Sequence, residues 1–231
     1  MRLFLFASAV ALAACSSPTP PVDMPATVTG GTLRFLALGD SYTIGERVAE
    51  AERWPVVLAR TLRAGGLDVG TPQIVARTGW TTDELDVAIT EIAPRGPYAL
   101  VTLLIGVNNQ YRGRPLDEYR SQFRALLGRA VGFAGDDARR VVVVSIPDWG
   151  VTPFGQQDAR GAATIGREID AFNAVARQEA EARGAAYVDI TALSRTTARA
   201  LVAPDGLHPS GAQYALWADA IRPAAAAALA R

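Results

Sequence analysis

Five short apolar runs, separated by longer stretches of helical periodicity, constrain this chain more than any other feature. They lie at 33–38, 73–76, 98–105, 140–146 and 186–190. Runs that are apolar throughout, rather than at every second residue, suit strands covered on both faces, and alternation with helices is the pattern of a parallel sheet. The intervening stretches carry stripes at helical spacing. One is Leu116, Tyr119, Phe123, Leu126 or Leu127, and Ala130; another is Ile165, Ile169, Phe172 and Ala176. The last helix opens on Ser210 and Gln213 in a capping-box pattern and turns Tyr214, Trp217 and Ile221 inward. The expected fold class is α/β, a three-layer α/β/α (flavodoxin-like) arrangement of about five parallel strands in the order 2-1-3-4-5.

Composition removes several kinds of chemistry. The chain has no lysine, one histidine and one cysteine among 231 residues. That excludes a Schiff-base lysine, a Ser-Lys pair, a P-loop and a Cys/His zinc site. Acidic and basic residues balance at 23 each, with no basic block of the kind a nucleic-acid surface needs. No nucleic-acid partner, metal or organic cofactor is therefore expected, and oligomeric state is left open.

The N-terminus has the layout of an export signal. Met1-Arg2-Leu3 leads into a short apolar stretch ending in Leu12-Ala13-Ala14-Cys15, too short to span a bilayer. The end of this stretch resembles the bacterial lipobox, which implies cleavage after residue 14 and acylation of Cys15; an ordinary cleaved signal is the alternative. Residues 15–31 are rich in Pro, Ser and Thr and read as a flexible tether. Residues 32–231 form one domain. The resemblance implies an exported protein attached to a membrane through its lipid, facing the periplasm from the outer membrane, because Ser16 rather than aspartate follows the cysteine.

In open parallel sheets, ligands sit beyond the carboxyl ends of the strands. The residues at those ends are Asp40-Ser41, Arg77-Thr78-Gly79-Trp80, Gly106-Val107-Asn108-Asn109, Pro147-Asp148-Trp149, and the segment leading to Asp205 and His208. Singly, each has a plain structural reading. Ser41 caps a helix, Gly79 makes a turn before a helix capped by Thr81 and Glu84, and Asn108 caps a loop. Together they offer a serine, the chain's sole imidazole, a carboxylate three residues from it, and amide donors. A serine hydroxyl needs an imidazole to take its proton, and the imidazole needs a carboxylate to fix its tautomer. In the expected strand order the first and fifth strands lie roughly 14 Å apart, a gap that the segment 191–208 spans.

Four blocks in this order resemble the SGNH (GDSL) hydrolases: Gly39-Asp40-Ser41, Gly79, Gly106-Val107-Asn108 and Asp205-Gly206-Leu207-His208. The resemblance covers the domain from Leu33 to the last helix. It implies a serine hydrolase cleaving carboxylic esters through an acyl-enzyme, with Ser41, Asp205 and His208 catalytic and Ser41, Gly79 and Asn108 forming the oxyanion hole. Asn109 stands where the family often has aspartate, and a shift of one residue would make Asn109 the donor. Lysophospholipids or small acyl esters are the substrates implied first, and acetylated carbohydrate second; a non-catalytic envelope binding protein on the same fold is the alternative of another class. Asp148 and Trp149 are candidates to line the cleft, and Arg112 or Arg114 to meet a phosphate.

Overall fold

A computed structural model of the chain describes residues 31–196 and 201–230. The signal segment 1–14, Cys15 and the tether up to residue 30 lie outside the described residues. The strands are β1 (Phe35–Gly39), β2 (Gln73–Ala76), β3 (Leu100–Leu104), β4 (Val141–Val144) and β5 (Ala186–Val188). They form one sheet in the order β2-β1-β3-β4-β5, with every pairing parallel. β1, β3 and β4 are buried along their whole length, as strands apolar on both faces must be.

β2 matches its apolar run, and the other four strands are shorter than theirs. Leu33 makes only an isolated bridge to Val69, and the run at 140–146 starts in a 3₁₀ turn, Ala138–Arg140. The flanking residues Tyr98 and Ile146 are buried by packing rather than by ladder pairing. Burial extends past the hydrogen-bonded ladder, so apolar runs overshoot strand ends.

The helices are α1 (Ser41–Ile44), α2 (Trp54–Ala64), α3 (Thr82–Ile92), α4 (Val107–Tyr111), α5 (Leu116–Phe133), α6 (Ala162–Arg183), α7 (Thr191–Ser194) and α8 (Gly211–Leu229). α2 packs with α8 in one outer layer; α3, α5 and α6 form the other. The expected stripes face inward: Tyr119, Phe123, Leu126, Leu127 and Ala130 of α5, and Ile165, Ile169, Phe172 and Ala176 of α6, are buried. In α8, Tyr214, Trp217 and Ile221 are fully buried, and the Ser210 hydroxyl accepts the Gln213 amide hydrogen. The Gln213 side chain reaches a different partner from a closed capping box, donating to the Leu193 carbonyl of α7. Among the described residues no helix is long and apolar enough to cross a membrane.

Candidate active site

Gly39 closes β1 where the chain turns into α1. A Cβ there would come within 2.5 Å of the Leu104 carbonyl on β3 and closer still to the Thr43 hydroxyl. Only glycine lets the strand end and the following helix approach so closely. Asp40 caps α1, its Oδ1 accepting the Tyr42 amide hydrogen at 3.0 Å. That cap places Ser41 at the first helical position, on the carboxyl edge of β1, an interior strand of the sheet.

The acid–base loop arrives from the far side of the sheet. His208 Nδ1 lies 2.7 Å from Asp205 Oδ2, while Asp205 Oδ1 accepts the amide hydrogens of Leu207 and His208, each at 3.0 Å. Burial works against charge on Asp205, but the bond to His208 and the two backbone bonds outweigh it and hold the carboxyl below its usual value. An ionised Asp205 accepts Nδ1–H, which leaves Nε2 as the basic nitrogen. The loop is anchored by Ala203 N–H to the His208 carbonyl at 2.7 Å and by Phe154 N–H to the Gly206 carbonyl at 3.0 Å. Tyr42, next to Ser41, stands beside the imidazole with ring centroids 5.8 Å apart.

Ser41, Gly79, Asn108 and His208 line one cavity of about 210 Å³, together with Tyr42, Thr78, Val107, Tyr111, Trp149, Phe154 and Leu207. Asp205 stands behind His208, so the expected constellation assembles at the strand edge. Gly79 has φ +88°, a conformation side chains rarely tolerate. Its carbonyl is held by Arg112 at 2.6 Å. Asn108 donates one amide hydrogen to the Trp80 carbonyl at 2.9 Å, which ties α4 to the glycine loop. Asn109 is fully buried and bonds Thr82 through both side-chain atoms. The geometry therefore favours Asn108 over Asn109 as the amide facing the cavity.

Other expected residues fall differently. Trp149 lines this cavity, and Asp148 lines a second cavity that shares Trp149 with it, its carboxylate bonded to the Gly150 amide at 2.9 Å and to Arg195 Nε at 2.9 Å. Arg112 also pairs with Glu84, and Arg114 with Asp83 and Glu118, so the charge of each is met by acids of this chain. Neither is placed as a free phosphate ligand. Sequence reasoning missed Tyr111 and Phe154. Tyr111 lies three residues after Asn108 on the same helix, a spacing that shares a face and was a usable signal; Phe154 had none. It also missed Arg47, at φ +68°, whose Nε lies 3.6 Å from Asp205 Oδ2.

Beneath α1, Asp40 is fully buried with Oδ2 lacking a protein partner. Burial pushes its carboxyl up to about 7, against the lowering effect of the Tyr42 amide. Among the described residues no group of three or more His, Cys, Asp or Glu could hold a metal ion.

Comparison with known proteins agrees with this architecture. No curated protein matches the sequence. Among solved structures, an acetylxylan esterase from Geobacillus stearothermophilus superposes with a TM-score of 0.65 at 22% identity, covering 86% of this chain and 96% of that one. A lipase from a goat rumen metagenome gives 0.68 at 18%, covering 84% and 97%. The psychrotrophic esterase EstA from Pseudoalteromonas sp. gives 0.61 at 19%, covering 83% and 95%. At these identities the likeness shows the fold. The GDSL-like lipase/acylhydrolase family model matches residues 37–216, from β1 into α8 and across every residue of the cavity, and the chain belongs to that family.

Proposed function

We propose that this protein hydrolyses carboxylic esters through an acyl-enzyme on Ser41. The observation that carries the reading is the shared cavity: Ser41 and His208 line it together, with His208 Nδ1 held on the Asp205 carboxylate. His208 Nε2 takes the Ser41 proton as Oγ attacks the carbonyl carbon, and the carbonyl oxygen becomes an oxyanion. The Ser41 and Gly79 amides and the free Asn108 N–H stabilise that charge, usually the largest single contribution to such a reaction. The tetrahedral carbon then expels the alcohol, which receives the proton from His208. Water, deprotonated by His208, attacks the acyl-enzyme, and collapse of the second intermediate returns the proton to Ser41 and releases the acid.

Small acyl esters and lysophospholipids are the substrates we propose, delivered to an enzyme held at the membrane through acylated Cys15 and facing the periplasm. The decisive experiment is hydrolysis of p-nitrophenyl acetate and butyrate by the purified full chain. Turnover lost in Ser41→Ala supports the reading, and a wild type inert on both esters and on a lysophospholipid rejects it in favour of a binding protein.

A further inference from the structure

Two of the large apolar side chains that the fold leaves exposed flank the cavity. Tyr111 of α4 is 48% exposed and Phe154, in the loop after β4, is 41% exposed. Between them stands Trp149, only 2% exposed. The Tyr111 and Trp149 centroids are 5.4 Å apart at 68°, and those of Trp149 and Phe154 are 6.0 Å apart at 51°. Three aromatic rings thus form one continuous wall. Two exposed aromatic rings packed on either side of a buried one at a cavity forgo burial that folding would otherwise use, and exposed apolar groups so placed mark binding sites.

The wall is held rigidly from behind. The Trp149 indole N–H donates to Gln110 Oε1 at 2.8 Å, and the Gln110 amide donates to Glu168 at 2.6 Å. The Arg160 guanidinium lies 5.1 Å from the Trp149 ring centre and 5.7 Å from that of Tyr111. It is itself fixed by a forked pair with Asp158 at 2.9 and 3.1 Å. Fixing the rings before a ligand arrives removes the cost of ordering them on binding.

The cavity lining holds no carboxylate and no guanidinium; its polar side-chain groups beyond Ser41 and His208 are Thr78, Asn108, the Trp149 indole N–H and the hydroxyls of Tyr42 and Tyr111. The Thr78 hydroxyl is already bonded to Glu46, and Asn108 gives one hydrogen to Trp80. With no charged group and with Val107, Leu207, Phe154 and the ring faces of Trp149 and Tyr111 in the lining, the cavity suits an apolar group. The cavity of about 210 Å³ has room for a short chain, and the second cavity, of about 390 Å³, shares Tyr42, Trp149 and Leu207 with it. During deacylation the acyl group is the part of the substrate that stays bound.

We propose that Tyr111, Trp149 and Phe154 are the specificity-determining wall of this site, clasping the apolar acyl chain of the ester, and that Gln110 and Arg160 position that wall. The proposal rests on the ester-hydrolase reading and deepens it.

The test is kcat/KM of the full chain on p-nitrophenyl acetate, butyrate, hexanoate and octanoate, with methyl and butyl hexanoate as an alcohol series. In the wild type kcat/KM rises from acetate to hexanoate by up to about fourfold per methylene buried. Tyr111→Ala and Phe154→Ala lower the hexanoate-to-acetate ratio by tenfold or more and leave the butyl-to-methyl ratio within twofold. Gln110→Leu raises KM for hexanoate more than it lowers kcat, and the double variant Gln110→Glu with Glu168→Gln, which keeps the acceptor for the indole and reverses the bond between the two side chains, restores it. A hexanoate-to-acetate ratio within twofold of wild type in both aromatic variants overturns the wall. So does an effect confined to the alcohol series. A wild type inert on every ester removes the reading of the site itself, a result distinct from an active enzyme whose chain-length profile ignores the wall.

Discussion

Asn109 and Thr82 lock each other from both ends: Asn109 Oδ1 accepts the Thr82 amide hydrogen at 3.1 Å, and Asn109 Nδ2 donates to the Thr82 hydroxyl at 2.7 Å. Thr82 is the first residue of α3, where an amide hydrogen has no partner within the helix. The side chain of α4 thereby caps α3 across the carboxyl edge of the sheet. Its neighbour Asn108 is turned the other way, toward the cavity of Ser41 and His208. The Thr82 hydroxyl accepts from Asn109 and donates its own hydrogen to Gln122, an arrangement that asparagine permits and that an aspartate at 109 would have to give up to keep the strut.

This division of labour separates two adjacent asparagines by experiment. Asn108→Ala is expected to lower kcat by roughly 10² to 10³ with a smaller change in KM, as for a donor used mainly in the transition state. Asn109→Ala is expected to leave the Thr82 amide buried without an acceptor, costing about 1–3 kcal/mol of stability, and to reduce kcat far less. Steady-state kinetics with urea denaturation of both variants checks the pair. The opposite ranking in kcat would make Asn109 the donor.

Ser41→Ala and His208→Ala are each expected to abolish ester hydrolysis. Ser41→Ala removes a hydroxyl that does chemistry rather than packing, so its melting temperature stays close to wild type. Asp205→Asn keeps the shape of the loop but removes the acceptor for Nδ1–H, favouring the wrong tautomer, with an expected fall in kcat of about 10⁴. A folded Ser41→Ala protein retaining most of its turnover would end the nucleophile assignment.

Much of this was legible in the sequence because its causes are local. Strands buried on both faces leave apolar runs, and Ser41, Gly79, Asn108, Asp205 and His208 each follow a strand or sit in a loop with a recognisable block. The rest depends on residues that meet only after folding. Arg112 and Arg114 read as loop cations open to a ligand, and only the packing of α3 against α4 and α5 brings Glu84 and Asp83 to them. Trp149 was singled out by position, whereas Tyr111, Phe154, Gln110 and Arg160 join it from separate elements. Arg47 reaches Asp205 across 158 positions of sequence, a relationship no local pattern carries.

Asp40 ties folding to pH. Its native carboxyl is pushed up to about 7 by burial, from an ordinary value of 3.8. Between those values the native protein keeps a proton that the unfolded chain has released, so stability falls as pH rises through that window. The contribution is fully present below the ordinary value and lost above about 7, where the native state carries a buried carboxylate. Asp40→Asn mimics the protonated form and keeps an acceptor for the Tyr42 amide. Wild type is therefore expected to lose stability relative to Asp40→Asn between pH 4 and pH 8, by on the order of 1.4 kcal/mol for each pKa unit of upward shift. Urea midpoints of both proteins across that range measure it, and two parallel curves would contradict it.

The placement of the enzyme turns on Cys15, which precedes the described residues. Acylation adds about 0.8 kcal/mol of membrane affinity per buried methylene, so one chain holds a protein marginally and two hold it stably. Expressed with its own N-terminal segment, the wild type is expected to sediment with membranes and to be released by detergent. Cys15→Ser is expected to appear either as an uncleaved precursor or as a soluble form. Per folded molecule, turnover of a soluble short ester should be equal in the two, because Cys15 belongs to a Pro-rich segment ahead of the domain that holds Ser41, Asp205 and His208. Turnover of lysophospholipid embedded in vesicles should be higher for the anchored form, since confinement to the surface raises the effective concentration of enzyme there. Fractionation followed by mass spectrometry of the mature N-terminus decides the matter. A wild-type protein wholly in the soluble fraction and beginning beyond Cys15 would remove the anchor, while the chemistry at Ser41 would stand on its own geometry.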